Sequence, residues 1–210
     1  MTGKVYLVGA GPGAPDLLTI RAARLLEQAD IVLYDALVHP DTLALAAGAT
    51  LVDVGKRSGG RSTDQRFICR RLVAAARRHA CVVRLKGGDP MLFGRAQEEI
   101  DALRAAGIDF EVVPGVTAAL AASAALQIPL TQRGLSRSVS FVTPRVGRSE
   151  PAGDWARTVA ASDTSALYMA GRDATATRDA MLAQGVDPAT PVMLVERVSL
   201  PGARSFAGRL

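Results

Sequence analysis

Only three lysines occur in this arginine-rich chain, and two of them stand in glycine-bearing turns, Gly55-Lys56-Arg57 and Lys86-Gly87-Gly88-Asp89-Pro90. The choice of lysine matters, because its amine can transfer a proton and an arginine guanidinium effectively cannot. Asp35 closes an apolar run in the same way that Lys56 does. The pair could share acid and base work in one site, or could simply form a salt bridge joining neighbouring strands. A further chemical feature is the turn Gly9-Ala10-Gly11-Pro12-Gly13-Ala14-Pro15. Its Gly9-x-Gly11-x-x-Ala14 spacing meets the permissive form of a dinucleotide fingerprint, with Asp35 available as the ribose-binding acid. The prolines argue against that reading. A pyrophosphate at a helix amino terminus needs free N–H groups, and Pro12 and Pro15 each remove one. A stiff loop poor in donors suits a neutral or cationic ligand better than a diphosphate.

Other chemistries find little material. His39 and His79 are the only histidines, and Cys69 and Cys81 lack zinc spacing, so no metal is expected. Ser-His or Cys-His nucleophile activation is equally disfavoured. The net charge of +5 is concentrated between Gly55 and Lys86, where ten basic residues face one acid, Asp64. Such a block attracts polyanions. With Phe67 as its one aromatic it offers no stacking platform, so nucleic acid is not expected, and a small polycarboxylate or polyphosphate fits at least as well. A solvated arginine face on the helix after Ser62 is the plainer explanation. The longest uncharged run, 112–132, is interrupted by Pro114, Gly115 and Pro129 and reads as a buried helix, not a membrane span. No signal pattern opens the chain, and two lone cysteines fit packed thiols, so a cytoplasmic location is expected.

The elements that must position these residues alternate. Strands are expected at 5–8, 31–34, 51–54, 81–85 and 110–113, with helices near 17–28, 41–47, 63–79 and 94–105. Ser62 with Gln65 makes a candidate capping box for the third helix. After Pro114-Gly115 come an alanine-rich helix at 117–126, strands at 139–143, 166–169 and 192–195, and a helix near 174–184. The alternation predicts an α/β protein of two lobes, 1–115 and 116–210, each a mixed, mainly parallel sheet flanked by helices. Ligands of such sheets gather beyond the carboxyl ends of the strands. The Gly9 turn, Tyr34-Asp35, the Lys56 and Lys86 turns and Pro114-Gly115-Val116-Thr117 all fall there.

In that order the segments GAGPGxPDLLT, VLYDALV, VGKRSG, VVRLKGGDPxxFGR and EVVPGVTAA resemble the tetrapyrrole methylases, from Val5 to about Ser199. The resemblance implies a two-lobed class III methyltransferase fold with its active site in the interlobe cleft, S-adenosylmethionine as cofactor, and a homodimer. It implies transfer of two methyl groups to carbons of uroporphyrinogen III, giving precorrin-2 through precorrin-1 for siroheme and cobalamin. By the same resemblance, Pro12, Gly87, Gly88, Asp89, Leu92, Thr117, Ala118 and Met169 line the cofactor site, and Asp35 and Lys56 take acid/base roles. Arg57, Arg61, Arg95 and Arg133, in loops near the motif edge, are the candidates for binding the substrate carboxylates. Gln132, Pro144-Arg145 and Arg197-Val198-Ser199 depart from the family pattern. The chain also stops at Leu210, before a further strand and helix that the pattern leads one to expect. Two other readings are a methylase of a later precorrin and a divergent paralogue that binds tetrapyrrole or cofactor without turnover.

Overall fold

Valine- and leucine-rich runs buried on both faces build the middle of the first sheet, as parallel strands covered by helices require. The computed structural model describes residues 2–55, 64–145 and 153–210. Strands β1 (Lys4–Gly9), β2 (Ile31–Tyr34), β3 (Thr50–Asp53), β4 (Cys81–Lys86) and β5 (Phe110–Val113) form one sheet in the order β3-β2-β4-β1-β5. Every pairing is parallel. Register sets Gly9 beside Lys86, Val8 beside Val113, and Tyr34 between Leu85 and Asp53. The turns that follow all five strands therefore leave one edge of the sheet side by side.

Alternation along the strands divides the core. Val5, Leu7, Leu33 and Val82 face one helical layer, while Val8, Val32, Val83 and Leu85 face the other. Helix α1 (Ile20–Gln28) covers the second face with Ala22, Leu25 and Leu26. It begins later than its apolar pattern predicted. Pro15–Leu17 forms a short 3-10 turn, and Thr19 then caps α1, its Oγ1 accepting the Ala22 N–H at 3.1 Å. Pro40–Leu43 forms the short α2. Helices α3 (Gln65–Ala76) and α4 (Ala96–Ala105) cover the first face, with Ile68, Leu72, Ile100 and Leu103 buried. Asp64 caps α3 by accepting the Arg66 N–H at 2.9 Å. Ser62 lies outside the described residues, and Gln65 is buried for another purpose described below.

Helix α5 (Ala118–Leu126) leads to smaller sheets. Strands β6 (Val139–Val142) and β7 (Thr164–Leu167) pair in parallel, with α6 (Trp155–Ala160) and α7 (Ala174–Ala183) packed together beside them. Strands β8 (Pro191–Glu196) and β9 (Arg204–Arg209) form an antiparallel pair. Neither α6 nor β9 is evident from hydropathy, and β9 gives β8 a hydrogen-bonded neighbour. The chain divides into two compact units, Met1–Ala121 with Arg197–Gly202, and Ala122–Glu196 with Ala203–Leu210. The turn between β8 and β9 thus belongs to the first unit although its strands belong to the second. Among the described residues, no helix is long and apolar enough to cross a membrane.

Candidate active site

Three of the edge turns meet on glycine. Gly11 and Gly88 form a two-way bridge, Gly11 N–H donating to Gly88 O at 3.2 Å and Gly88 N–H to Gly11 O at 2.7 Å. Gly88 holds φ at +69°, a conformation glycine adopts without penalty. Gly115 backs directly onto Gly9 and the Gly88 carbonyl, where no side chain has room. Asp89 fastens the junction. One carboxylate oxygen accepts the Met91 N–H at 2.8 Å, and the other accepts the Gly115 N–H at 2.9 Å. The turn after β2 joins from the far side, because Leu37 packs against Gly87.

The first turn presents few donors. Ala10, Gly11 and Ala14 give their N–H groups to Lys86 O, Gly88 O and Ser199 Oγ, at 2.7, 3.2 and 3.0 Å. Pro12 and Pro15 have none to give. No α-helix begins at this turn either, since only the short 3-10 turn Pro15–Leu17 follows it and α1 starts at Ile20. Gly13 and Asp16 keep N–H groups with no hydrogen-bond partner among the described residues, so the loop is poorer in donors than a phosphate cradle built on an α-helix amino terminus.

Beside the junction lies a charge cluster that sequence reasoning did not find. Arg84 in β4 is 2% exposed and Glu99 in α4 is fully buried. The Arg84 guanidinium donates from Nε to Glu99 Oε1 at 3.0 Å and from NH2 to Asp35 Oδ1 at 2.6 Å. NH1 reaches the carbonyls of Leu33 and Leu85 at 3.4 and 3.2 Å. Lys86 Nζ contacts both Glu99 oxygens at 3.2 Å, and Gln65 Nε2 donates to Oε1 at 3.0 Å. Burial works against the Arg84 charge, but the Glu99 and Asp35 carboxylates outweigh it and hold the guanidinium above its ordinary range. Burial, and then the Arg84 charge, push the Lys86 amine below the usual lysine range despite Glu99. Lys86 is thus a buried partner of Glu99, although its glycine-rich turn reads as ligand-facing in the sequence. We expect Glu99→Gln, which keeps shape but removes the charge shared by two cations, to lose about 1.5–3 kcal/mol. A denaturant titration against the parent checks this.

Asp35 stands at the carboxyl end of β2 with its side chain 29% exposed. Among the described residues its ion-pair partner is Arg84. Lys56, Arg57 and Arg61 lie outside the described residues. Pro12, Gly87 and Leu92 are half-buried around the glycine junction, Thr117 is buried, and Ala118 opens α5. Phe93 and Arg95 both adopt left-handed backbone, at φ of 52° and 55°. Such conformations in residues other than glycine gather at ligand sites. Arg95 grips Glu98 in a two-pronged pair at 2.7 and 2.9 Å. Met169 and Arg133 belong to the second unit. Met169 is left-handed and half-exposed after β7, and Arg133 is exposed on the turn closed by Gln132 and Ser136.

Comparison with known proteins accords with this architecture. The family described as tetrapyrrole (corrin/porphyrin) methylases matches residues 4–210. The chain is 45% identical over 210 residues to the uroporphyrinogen-III C-methyltransferase of Pseudomonas aeruginosa, covering 100% of this chain and 85% of that one. It is 46% identical over 210 residues to the siroheme synthase of Hahella chejuensis, covering 100% of this chain but only 45% of that longer protein. The crystal structure of uroporphyrin-III C-methyl transferase from Thermus thermophilus, complexed with S-adenyl homocysteine, matches with a TM-score of 0.86 at 45% identity. That match covers 99% of this chain and 88% of the other. Family match, relatives and fold agree over almost every residue, and the chain belongs to the tetrapyrrole methylases.

Proposed function

We propose that this chain is an S-adenosylmethionine-dependent C-methyltransferase that converts uroporphyrinogen III to precorrin-2 through precorrin-1, toward siroheme and cobalamin. The observation that carries the reading is its 45% identity, over its full length, to a uroporphyrinogen-III C-methyltransferase. The local chemistry supports it. A glycine junction in which the Ala10, Gly11, Ala14, Gly88 and Gly115 amides are already bonded, and two prolines offer none, fits a nucleoside that carries a sulfonium and no phosphate. It fits a dinucleotide poorly.

When bound, that donor supplies an electrophilic methyl group. The chain's own residues supply alignment, which is most of what carbon attack by an electron-rich pyrrole needs. In this reading Pro12, Gly87, Gly88, Leu92, Thr117, Ala118 and Met169 line the donor site. Asp89 holds its wall by clamping the turns after β4 and β5. Asp35 and Lys56 handle the proton that leaves the methylated macrocycle. Arg57, Arg61, Arg95 and Arg133 receive substrate carboxylates, for which Arg95 must exchange its Glu98 partner. The working form is a cytoplasmic homodimer.

Calorimetry should register binding of S-adenosylhomocysteine and none of NAD. Mass spectrometry of the tetrapyrrole incubated with S-adenosylmethionine should show a gain of two methyl groups. Tight nicotinamide nucleotide binding without any heat from the homocysteine form would overturn the reading.

A further inference from the structure

The geometry points to Arg84 as a positioning residue that fixes the Asp35 carboxylate for turnover, with Glu99 and Lys86 as its buried anchor. This rests on the proposed role of Asp35 in proton transfer. A cation in the middle of an apolar strand is an expensive choice, and a well-packed apolar side chain there would often hold the fold as well or better. Arg84 nevertheless occupies such a place, with hydrogen bonds from Nε, NH1 and NH2. Its fork spans two carboxylates, one fully buried on α4 and one at the open end of β2. Lysine, a point charge without a planar fork, cannot reproduce that bridge.

The anchored end is rigid. Glu99 is gripped from β4 by Arg84 and Lys86 and from α3 by Gln65. The working end is held at three points: Asp35 N–H donates to Leu85 O at 3.3 Å, its carbonyl accepts the Val38 N–H at 3.1 Å, and its Oδ1 takes the guanidinium at 2.6 Å. Oδ2 makes no hydrogen bond among the described residues and belongs to a partly exposed side chain at the edge where all five turns emerge. A carboxylate with one oxygen pinned and the other open is a group prepared to meet a ligand. A supporting shell that locks orientation is what separates an efficient proton-transfer group from one merely present.

The test compares the parent, Arg84→Lys, Asp35→Asn and the double variant, measuring turnover of uroporphyrinogen III and the heat of S-adenosylhomocysteine binding. Arg84→Ala, which empties the space of the side chain, supplies a rescue arm with added methylguanidine. We expect Arg84→Lys to lower kcat about 10- to 100-fold with donor affinity and KM nearly unchanged. In the Asp35→Asn background the same change should add nothing, because Arg84 acts through Asp35. Methylguanidine should restore part of the Arg84→Ala activity. Additive losses in the double variant, donor binding that falls in step with turnover, or parent-level kcat in Arg84→Lys would each overturn the proposal. A parent that methylates nothing would overturn the functional reading, and this inference with it, whereas an active parent isolates the failure to Arg84.

Discussion

Asp35→Asn is expected to lower methyl transfer by about 10²- to 10⁴-fold, the range that positioned acid–base groups contribute, while the donor binds almost as before. Asparagine keeps the shape of the side chain and an oxygen able to accept from Arg84 NH2, so the fold survives the change. The negative charge and the basic oxygen are lost. Donor affinity should be insulated, because the glycine junction proposed to hold the donor is assembled by bonds that do not involve Asp35, namely Gly11 with Gly88 and Asp89 with Gly115. Asp35→Ala should show a similar loss of turnover with some loss of stability, since it leaves the buried guanidinium one partner short. Lys56→Met, judged on its chemistry, should behave like Asp35→Asn. Single-turnover rates at saturating donor, paired with calorimetry, separate the two effects. Parent-level rates in these variants would remove both residues from the mechanism.

The legible parts of this protein were those written in local patterns. Apolar runs ending in glycine, aspartate or lysine gave the five parallel strands and the edge from which their turns leave. The two prolines of the first turn foretold its shortage of donors. Other features depend on direction, which sequence does not carry. Arg84 and Lys86 read as part of a basic block because nothing local says that β4 points them inward. The missed signal was on α4, where Glu99 sits on the apolar stripe of Ala96, Ile100 and Leu103. A carboxylate at a core position of a helix demands a buried cation, and the arginine and lysine of the apolar strand β4 were the available ones. Likewise Pro15-Asp16-Leu17 fits a helix start by composition, yet it closes a separate 3-10 turn before Thr19 caps α1. Strand β9 escaped because Arg204–Arg209 mixes polar, aromatic and glycine residues without clean alternation, and only pairing with β8 defines it. The Ser199 contact to the first turn joins residues 185 positions apart, beyond the reach of any local signal.

Gly115→Ala is expected to destabilise the first unit by about 3–5 kcal/mol and to abolish measurable donor binding. The added methyl would press on the Gly88 carbonyl and lie 2.8 Å from Gly9 Cα. Both are backbone atoms at the ends of central strands, so no rotamer change relieves the overlap. Overpacking costs about 1–3 kcal/mol even where side chains can yield. Moving Gly115 away also lengthens its 2.9 Å bond to Asp89, and a bond to a charged group contributes about 1.5–3 kcal/mol. The two losses share a cause and act on the same three turns, so stability and donor affinity should fall together. Gly48→Ala supplies the control. A methyl there meets nothing within 4 Å, and the change should stay within about 0.5 kcal/mol of the parent with donor binding intact. Denaturant titrations and calorimetry on both variants decide the matter. Normal stability and donor affinity in Gly115→Ala would mean that the turns after β1, β4 and β5 are not locked at their glycines, and that the donor site is not built on that junction.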